Sequence, residues 1–221
     1  MRGAIAGILT SRLSSSMHLG AFEVDFKRNS ELGDNLRASL ILTVVISAVL
    51  AVFGKIICIL TGTEVIGVAE MIIISVISGT LAGILVTVVG VLVSIVCYRK
   101  FWDLDMVGAP AVTTIGDIVT LPFLVVTALI VMDLPFTGKA ILGAIVFVMI
   151  ILAFVSFKRG TRTMLDVLRE GLPLLIPLSL LGITAGVLYT SRLESLIAAA
   201  AVLILISPFM NGCGSIGGIL T

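Results

Sequence analysis

The sequence predicts an all-α protein, a polytopic membrane bundle of about six transmembrane helices with both termini in the cytoplasm. Three observations predict it: an apolar composition, apolar runs long enough to span a bilayer, and an alternation of basic residues between the connecting segments. Of the 221 residues, 59% are hydrophobic and only 12% are charged, and the mean hydropathy is +1.27. A soluble domain carries about 25% charged residues. Composition therefore excludes a water-soluble enzyme, a nucleic-acid-binding domain and a disordered tail.

Six apolar stretches have, or nearly have, the roughly 20 residues that a transmembrane helix needs. They are Ala38–Leu60, Met71–Tyr98, Val107–Met132, Lys139–Phe157, Leu172–Thr190 and a last stretch from Leu196 to near the C-terminus. Helices are expected because these runs are apolar all round and lack the alternation of a barrel strand. The segments between them are polar, and segment 158–171 predicts a charged, amphipathic connector.

Basic residues alternate along the chain. The segment before the first stretch and the five that separate the stretches hold, in order, five, none, two, one, four and one Lys or Arg residues. Cytoplasmic loops carry the excess of positive charge in membrane proteins, so six spans place both termini in the cytoplasm. The remaining base, Lys55, lies toward the outer end of the first stretch, where a long side chain can reach the membrane interface.

One acid interrupts the third apolar stretch. Asp117 lies almost at the middle of Val107–Met132, where a charged side chain costs about 2.5–3.5 kcal/mol on insertion scales. Thr113 and Thr120 follow helical spacing around it, so the three side chains predict one polar face on an otherwise apolar helix. A carboxylate at this depth is expected to face a water-filled cavity, a cation or a proton path. The alternative is a protonated Asp117 that hydrogen-bonds a neighbouring helix and serves packing alone.

A second polar feature lies near the end of the sequence. Pro208 is followed by Asn211 and by four glycines before residue 219, all within an apolar run. Small residues let helices approach closely and expose backbone carbonyls, and the amide of Asn211 can both donate and accept. The segment predicts either a stretch that lines a ligand or a close-packing helix interface.

The two ends of the chain resemble each other. Ile5–Thr10 matches Ile216–Thr221 in five of six positions. The match predicts one period of a tandem repeat, cut inside the same helix at both ends, with Met1–Thr10 as the tail of a helix.

No motif of an enzyme is visible. Cys58, Cys97 and Cys213 lie far apart without the spacing of a metal site or redox pair, and His18 is the single histidine. The sequence contains no Walker loop, no GxSxG and no HExxH motif. We therefore expect no enzymatic activity, no resident cofactor and no nucleic-acid partner.

Three short motifs together resemble the MgtE-type magnesium transporters and their eukaryotic solute-carrier relatives. Val112–Asp117 is similar to the family signature on the fifth core helix, where an acid follows a proline and a pair of small polar residues. Pro208–Gly218 is similar to the motif of the second core helix, and Ser11–Ser14 is similar to the Ser-Arg-Leu-Ser/Thr that follows that helix. The resemblance implies a core of five helices that pairs as a homodimer or as two tandem copies in one chain.

The same resemblance implies a shifted domain order. Residues 1–132 correspond to the end of core helix two followed by core helices three to five. Residues 133–171 correspond to a linker helix and a basic connector. Residues 172–221 correspond to the start of a second copy, with its helices one and two.

The function that the resemblance implies is transport of a divalent cation, Mg²⁺, across the plasma membrane. Mg²⁺ is commonly held by one or two carboxylates while it keeps several waters. The expected metal-contacting residues are Asp117, Thr113, Thr114 and Asn211, repeated across a dimer or pseudo-two-fold interface. Two alternatives stay open: a proton-coupled secondary transporter of another solute, and a non-transporting membrane subunit or inactive fragment.

Overall fold

The computed structural model describes residues 2–20, 24–25, 30–62 and 66–191, and within these ranges the chain is helical without any strand. The helices are α1 (Arg2–His18), α2 (Glu31–Leu60), α3 (Val68–Lys100), α4 (Leu104–Asp133), α5 (Phe136–Arg159) and α6 (Arg162–Ser191). The five helices α2 to α6 are long and apolar enough to cross a membrane. The prediction of an all-α polytopic membrane bundle is confirmed. The sixth predicted stretch, from Leu196 onward, lies outside the described residues.

The helices extend beyond the apolar stretches because polar residues at their ends continue the helical hydrogen bonding. α2 begins at Glu31, since the Ser30 hydroxyl caps it by accepting a hydrogen bond from the Gly33 N–H at 3.1 Å. α6 begins at Arg162, so most of the segment predicted as a connector forms its first turns. Met164, Val167 and Leu168 are buried there, which fits the amphipathic pattern of that segment.

Loss of the α2 cap should destabilise the protein measurably. Replacing a capping Ser with Ala typically costs about 1 kcal/mol, which corresponds to about 2–4 °C in Tm for a chain of this size. We expect Ser30→Ala to lower the thermal unfolding midpoint by that amount, while Ser30→Asp retains it. Ser15→Ala is the matched control, because the exposed Ser15 hydroxyl donates only to the Ser11 carbonyl of its own helix. An unchanged midpoint for Ser30→Ala would contradict the cap.

Consecutive long helices run in opposite directions, so the charged residues gather at two ends. One end, which we call the basic end, holds the N-termini of α2, α4 and α6 and the C-termini of α3 and α5. At the opposite end the Lys139 ammonium lies 2.6 Å from the Glu70 carboxylate and ties the start of α5 to the start of α3. Among the described residues, those with basic side chains at or near the basic end include Arg12, Arg37, Arg99, Lys100, Lys158, Arg159 and Arg162.

Small and hydroxyl-bearing residues bring α2 and α3 together. Lipid tails are as apolar as Leu, so membrane helices associate through close packing and interhelical hydrogen bonds instead of hydrophobic burial. Thr43 packs so closely on Gly83 that a Cβ added to that glycine would lie 2.6 Å from the Thr43 Cγ2. At the same interface the Ser75 hydroxyl donates to the Ser47 carbonyl at 2.6 Å.

α1 lies among α2, α3, α4 and α6 although it is only 17 residues long. Ile5 and Leu9, one helical turn apart, are buried in two different clusters, the first with α2 and α6 and the second with α2, α3 and α4. The Arg12 guanidinium pairs with the Glu170 carboxylate and joins α1 to α6 near the basic end. α1 is thus a central packing element of the described bundle.

Candidate functional site

Asp117 lies near the middle of α4 and is exposed on the surface of the single chain. It borders an open-sided cavity of about 440 Å³ between α2, α3 and α4. The cavity extends from Asp117 toward Ile66, which precedes α3 at the end opposite the basic end. The residues that line it are Leu50, Ala51, Ile66, Met71, Ile74, Ser75, Asp117, Thr120, Leu124 and Ala128.

Two hydroxyl groups accompany the carboxylate in this cavity. Thr120 donates to the Gly116 carbonyl at 2.5 Å, and Ser75 donates to the Ser47 carbonyl at 2.6 Å. Each hydroxyl proton is therefore engaged within the protein, while a hydroxyl oxygen has two acceptor lone pairs. The polar groups of the cavity wall are suited to accept hydrogen bonds from water and to attract a cation.

Thr113 and Thr114 occupy different surroundings from Asp117. The Thr113 side chain packs against α1, where a Cβ added to Gly3 would lie 2.9 Å from the Thr113 Cγ2. Thr114 is exposed, and its hydroxyl donates to the Pro110 carbonyl at 2.8 Å. The Thr113 hydroxyl donates to the same carbonyl at 3.2 Å. Neither threonine lines the cavity that Asp117 borders. The polar face of α4 therefore contacts α1 at Thr113 and borders the cavity at Asp117 and Thr120.

The described residues bring one carboxylate to this site. Among them, no three His, Cys, Asp or Glu side chains are grouped so that they could hold a metal ion. Asn211 and the glycine-rich segment around it lie outside the described residues. The arrangement therefore suits weak, water-mediated contact with a cation more than a closed metal cage.

The cavity walls that α2 and α3 supply were not predicted from the sequence. Ser75 is the polar member of that wall, and it lies inside an apolar run that carries no charge. The sequence of α2 does contain a pattern that indicates its inward-facing side, because polar residues recur there at every fourth position and so share one helix face. In the structure all of these residues are buried, so this face is turned toward the bundle interior. These residues are Asn35, Ser39, Thr43 and Ser47.

Comparison with known proteins identifies a family for most of the described bundle. The model of a family described as "MgtE: Divalent cation transporter" matches residues 1–127, which is more than half of the chain. The matched segment includes α1, α2, α3 and most of α4, with Asp117 in it. Neither the curated proteins nor the solved structures contain a significant match to the chain.

Proposed function

The chain belongs to the MgtE family of divalent cation transporters, and from this premise we propose that it passes hydrated Mg²⁺ across the plasma membrane beside Asp117. Membership of this family and the five long apolar helices indicate a membrane protein that transports divalent cations. The proposal adds the ion, the residue and the membrane. We also propose that the basic end faces the cytoplasm and that the transporter has no enzymatic activity.

The exposure of Asp117 at mid-helix is the observation that carries the proposal. A carboxylate at the bilayer centre costs about 2.5–3.5 kcal/mol when lipid surrounds it, so water, a cation or another protein surface must cover it. Asp117 already borders a cavity with two other polar side chains, Ser75 and Thr120. A passage that holds water and a cation next to Asp117 removes the cost of burying this charge.

The cavity has room for the ion together with its waters. Mg²⁺ releases water reluctantly and is usually held through one or two carboxylates. Six waters occupy roughly 180 Å³ at about 30 Å³ each, and the cavity measures about 440 Å³. We propose that Asp117 attracts the hydrated ion and that Ser75 and Thr120 accept hydrogen bonds from its waters. Thr113, Thr114 and Asn211 are proposed to contact the ion elsewhere on its path, because neither threonine lines this cavity.

A second copy of Asp117 is part of the proposal, because a single carboxylate cannot surround an ion. Two facing carboxylates repel each other when the passage is empty, so one of them would hold a proton. A divalent cation between them relieves both the repulsion and the cost of burial. The exposed apolar side chains of Ile118, Leu121 and Val125 adjoin Asp117 on α4 and offer a surface for the second copy.

This pairing predicts a specific cross-link. In a background whose native cysteines are replaced with Ser, we expect Ile118→Cys to form an intermolecular disulfide under mild oxidation in the membrane. Ile141→Cys is the matched control, because that residue is similarly exposed but lies on α5. The readout is the dimer band on non-reducing electrophoresis. Equal cross-linking at both positions would indicate random collision and would argue against an α4 interface.

Vesicles that contain the purified protein test the function itself. We expect an imposed Mg²⁺ gradient to drive influx that an internal Mg²⁺-sensitive dye reports, without any pH gradient. Flux that follows a pH gradient without divalent cations would favour the proton-coupled transporter of another solute. Absence of divalent cation flux from well-folded dimers would favour the non-transporting subunit.

A further inference from the structure

The cavity beside Asp117 has two ends of different character. Asp117 and Thr120 lie near the middle of α4, and Ser75 lies farther into α3 than the other wall residues of that helix, so the polar groups belong to the inner end. The remaining wall, toward Ile66, is apolar. Its residues are Leu50, Ala51, Ile66, Met71, Ile74, Leu124 and Ala128. The contacts proposed for hydrated Mg²⁺ in this cavity use the polar end and leave the apolar wall without a role.

The cavity is also long enough for more than an ion. Its wall on α4 extends from Asp117 to Ala128, which is an axial distance of about 16 Å at 1.5 Å per residue. The volume of about 440 Å³ is typical of pockets that hold small organic molecules, which measure about 300–1,000 Å³. Such pockets are mostly apolar and contain a few polar groups that fix the orientation of the ligand. The wall of this cavity has that composition.

The charges at the two ends give the cavity a direction. Among the described residues, no side chain forms a hydrogen bond or an ion pair with the Asp117 carboxylate. At the other end the Lys55 ammonium donates to the Ile66 carbonyl at 3.0 Å. A positive charge on a ligand is therefore attracted to the Asp117 end and repelled from the Ile66 end.

We infer that this cavity binds an amphiphilic organic cation, with its ammonium group beside Asp117 and its apolar body along the wall toward Ile66. Burial of the apolar body provides affinity, and the carboxylate fixes the orientation. A lipid acyl chain makes no use of the carboxylate, and a small inorganic cation makes no use of the apolar wall. The bound cation occupies the position proposed for Mg²⁺ and blocks influx. This competition rests on the proposed function, whereas the binding itself does not.

Equilibrium dialysis of the full chain in detergent micelles tests the binding with three water-soluble probes. Benzyltrimethylammonium has a charge and an apolar body, tetramethylammonium has the charge alone, and benzyl alcohol has a similar body without charge. Each buried methylene contributes roughly fourfold in affinity, so benzyltrimethylammonium should bind at least about tenfold more tightly than tetramethylammonium. The attraction to Asp117 should make it bind at least about tenfold more tightly than benzyl alcohol. Empty micelles are the blank.

Two substitutions test the two ends of the cavity separately. Asp117→Asn should weaken the binding of benzyltrimethylammonium at least about tenfold, because it removes the charge. Ala128→Phe fills the apolar end without a change of charge and should weaken this binding at least about fivefold. Ala48→Phe is the matched control for Ala128→Phe, because Ala48 is also half-buried but does not line this cavity, and it should leave the binding unchanged. Circular dichroism confirms that each variant is folded.

Several results would overturn the inference. Equal binding of benzyltrimethylammonium and benzyl alcohol would indicate an apolar cleft that lipid fills. Unchanged binding to the Asp117→Asn protein would place the charged group elsewhere, and equal losses in Ala128→Phe and Ala48→Phe would indicate a general disturbance of the bundle.

The competition with Mg²⁺ separates this inference from the proposed function. Millimolar Mg²⁺ should displace benzyltrimethylammonium, and the probe should slow dye-reported Mg²⁺ influx into vesicles. Probe binding that requires Asp117 in a protein without Mg²⁺ influx would support the cavity site and refute the proposed function. Mg²⁺ influx in a protein that binds no probe would refute this inference alone.

Discussion

Asp117→Asn is expected to abolish Mg²⁺ uptake while the protein still inserts and folds. The amide keeps the shape of the side chain and removes its charge. A divalent cation and a carboxylate about 5 Å apart, as across one water, attract each other by about 7 kcal/mol at an effective dielectric constant of about 20. Desolvation offsets part of this attraction, so we expect a loss of more than about a hundredfold in the initial rate of dye-reported influx.

Asp133→Asn is the matched control for this experiment. Asp133 ends the same helix and is exposed, but it does not line the cavity beside Asp117. The control should retain normal influx, and Asp117→Glu should retain a part of it because the charge is displaced by one methylene. A well-expressed Asp117→Asn protein with normal influx would remove Asp117 from the cation passage.

Gly83→Leu is expected to produce the largest loss of stability among the substitutions considered. A Cβ at this position would lie 2.6 Å from the Thr43 Cγ2, closer than packed carbon atoms approach. Overpacking a tight interface costs typically 1–3 kcal/mol and sometimes more. At about 2–4 °C per kcal/mol for a chain of this size, a cost of about 3 kcal/mol lowers the thermal midpoint by about 6–12 °C. Unfolding in detergent, followed by circular dichroism, measures the shift.

Two further variants show whether the contact with Thr43 causes this loss. Gly182→Leu introduces the same side chain at a helical glycine on α6, where an added Cβ would meet no atom of the described residues within 4 Å, and it should leave the midpoint unchanged. Gly83→Ala should lower the thermal midpoint less than Gly83→Leu does. Adding Thr43→Ser to the Gly83→Ala protein should partly restore the midpoint, because Ser lacks the clashing Cγ2. No restoration by Thr43→Ser would mean that the clash with the Thr43 Cγ2 is not the source of the effect.

The positions of the long helices could be predicted well, and their ends less well. The length of an apolar run identifies the part of a helix that lipid can surround. Each of the five described helices that are long and apolar enough to cross a membrane was therefore expected. The polar ends follow other rules, such as the Ser30 cap and the early start of α6 at Arg162. A helix can extend past the apolar region wherever caps and amphipathic packing support it.

Asp117 could be identified from the sequence, but the side chains that surround it could not. An isolated acid in an apolar run is visible in the sequence, and Asp117 was identified in this way. Thr113 shares a helix face with Asp117, yet the approach of Gly3 on α1 places Thr113 in a helix contact. Ser75 lies on another helix, and only the packing of α3 beside α4 brings it to the same cavity.

The amino-acid sequence by itself determined the membrane-bundle class, the five long apolar helices that the structure describes and the acid at the centre of α4, because run length and an isolated charge are local properties. Only the tertiary structure decided which helices enclose Asp117 and where Thr113 packs. Those arrangements depend on contacts between residues far apart in the chain. In a bilayer such contacts arise from small residues and shape, for which a pattern of hydrophobicity contains little information.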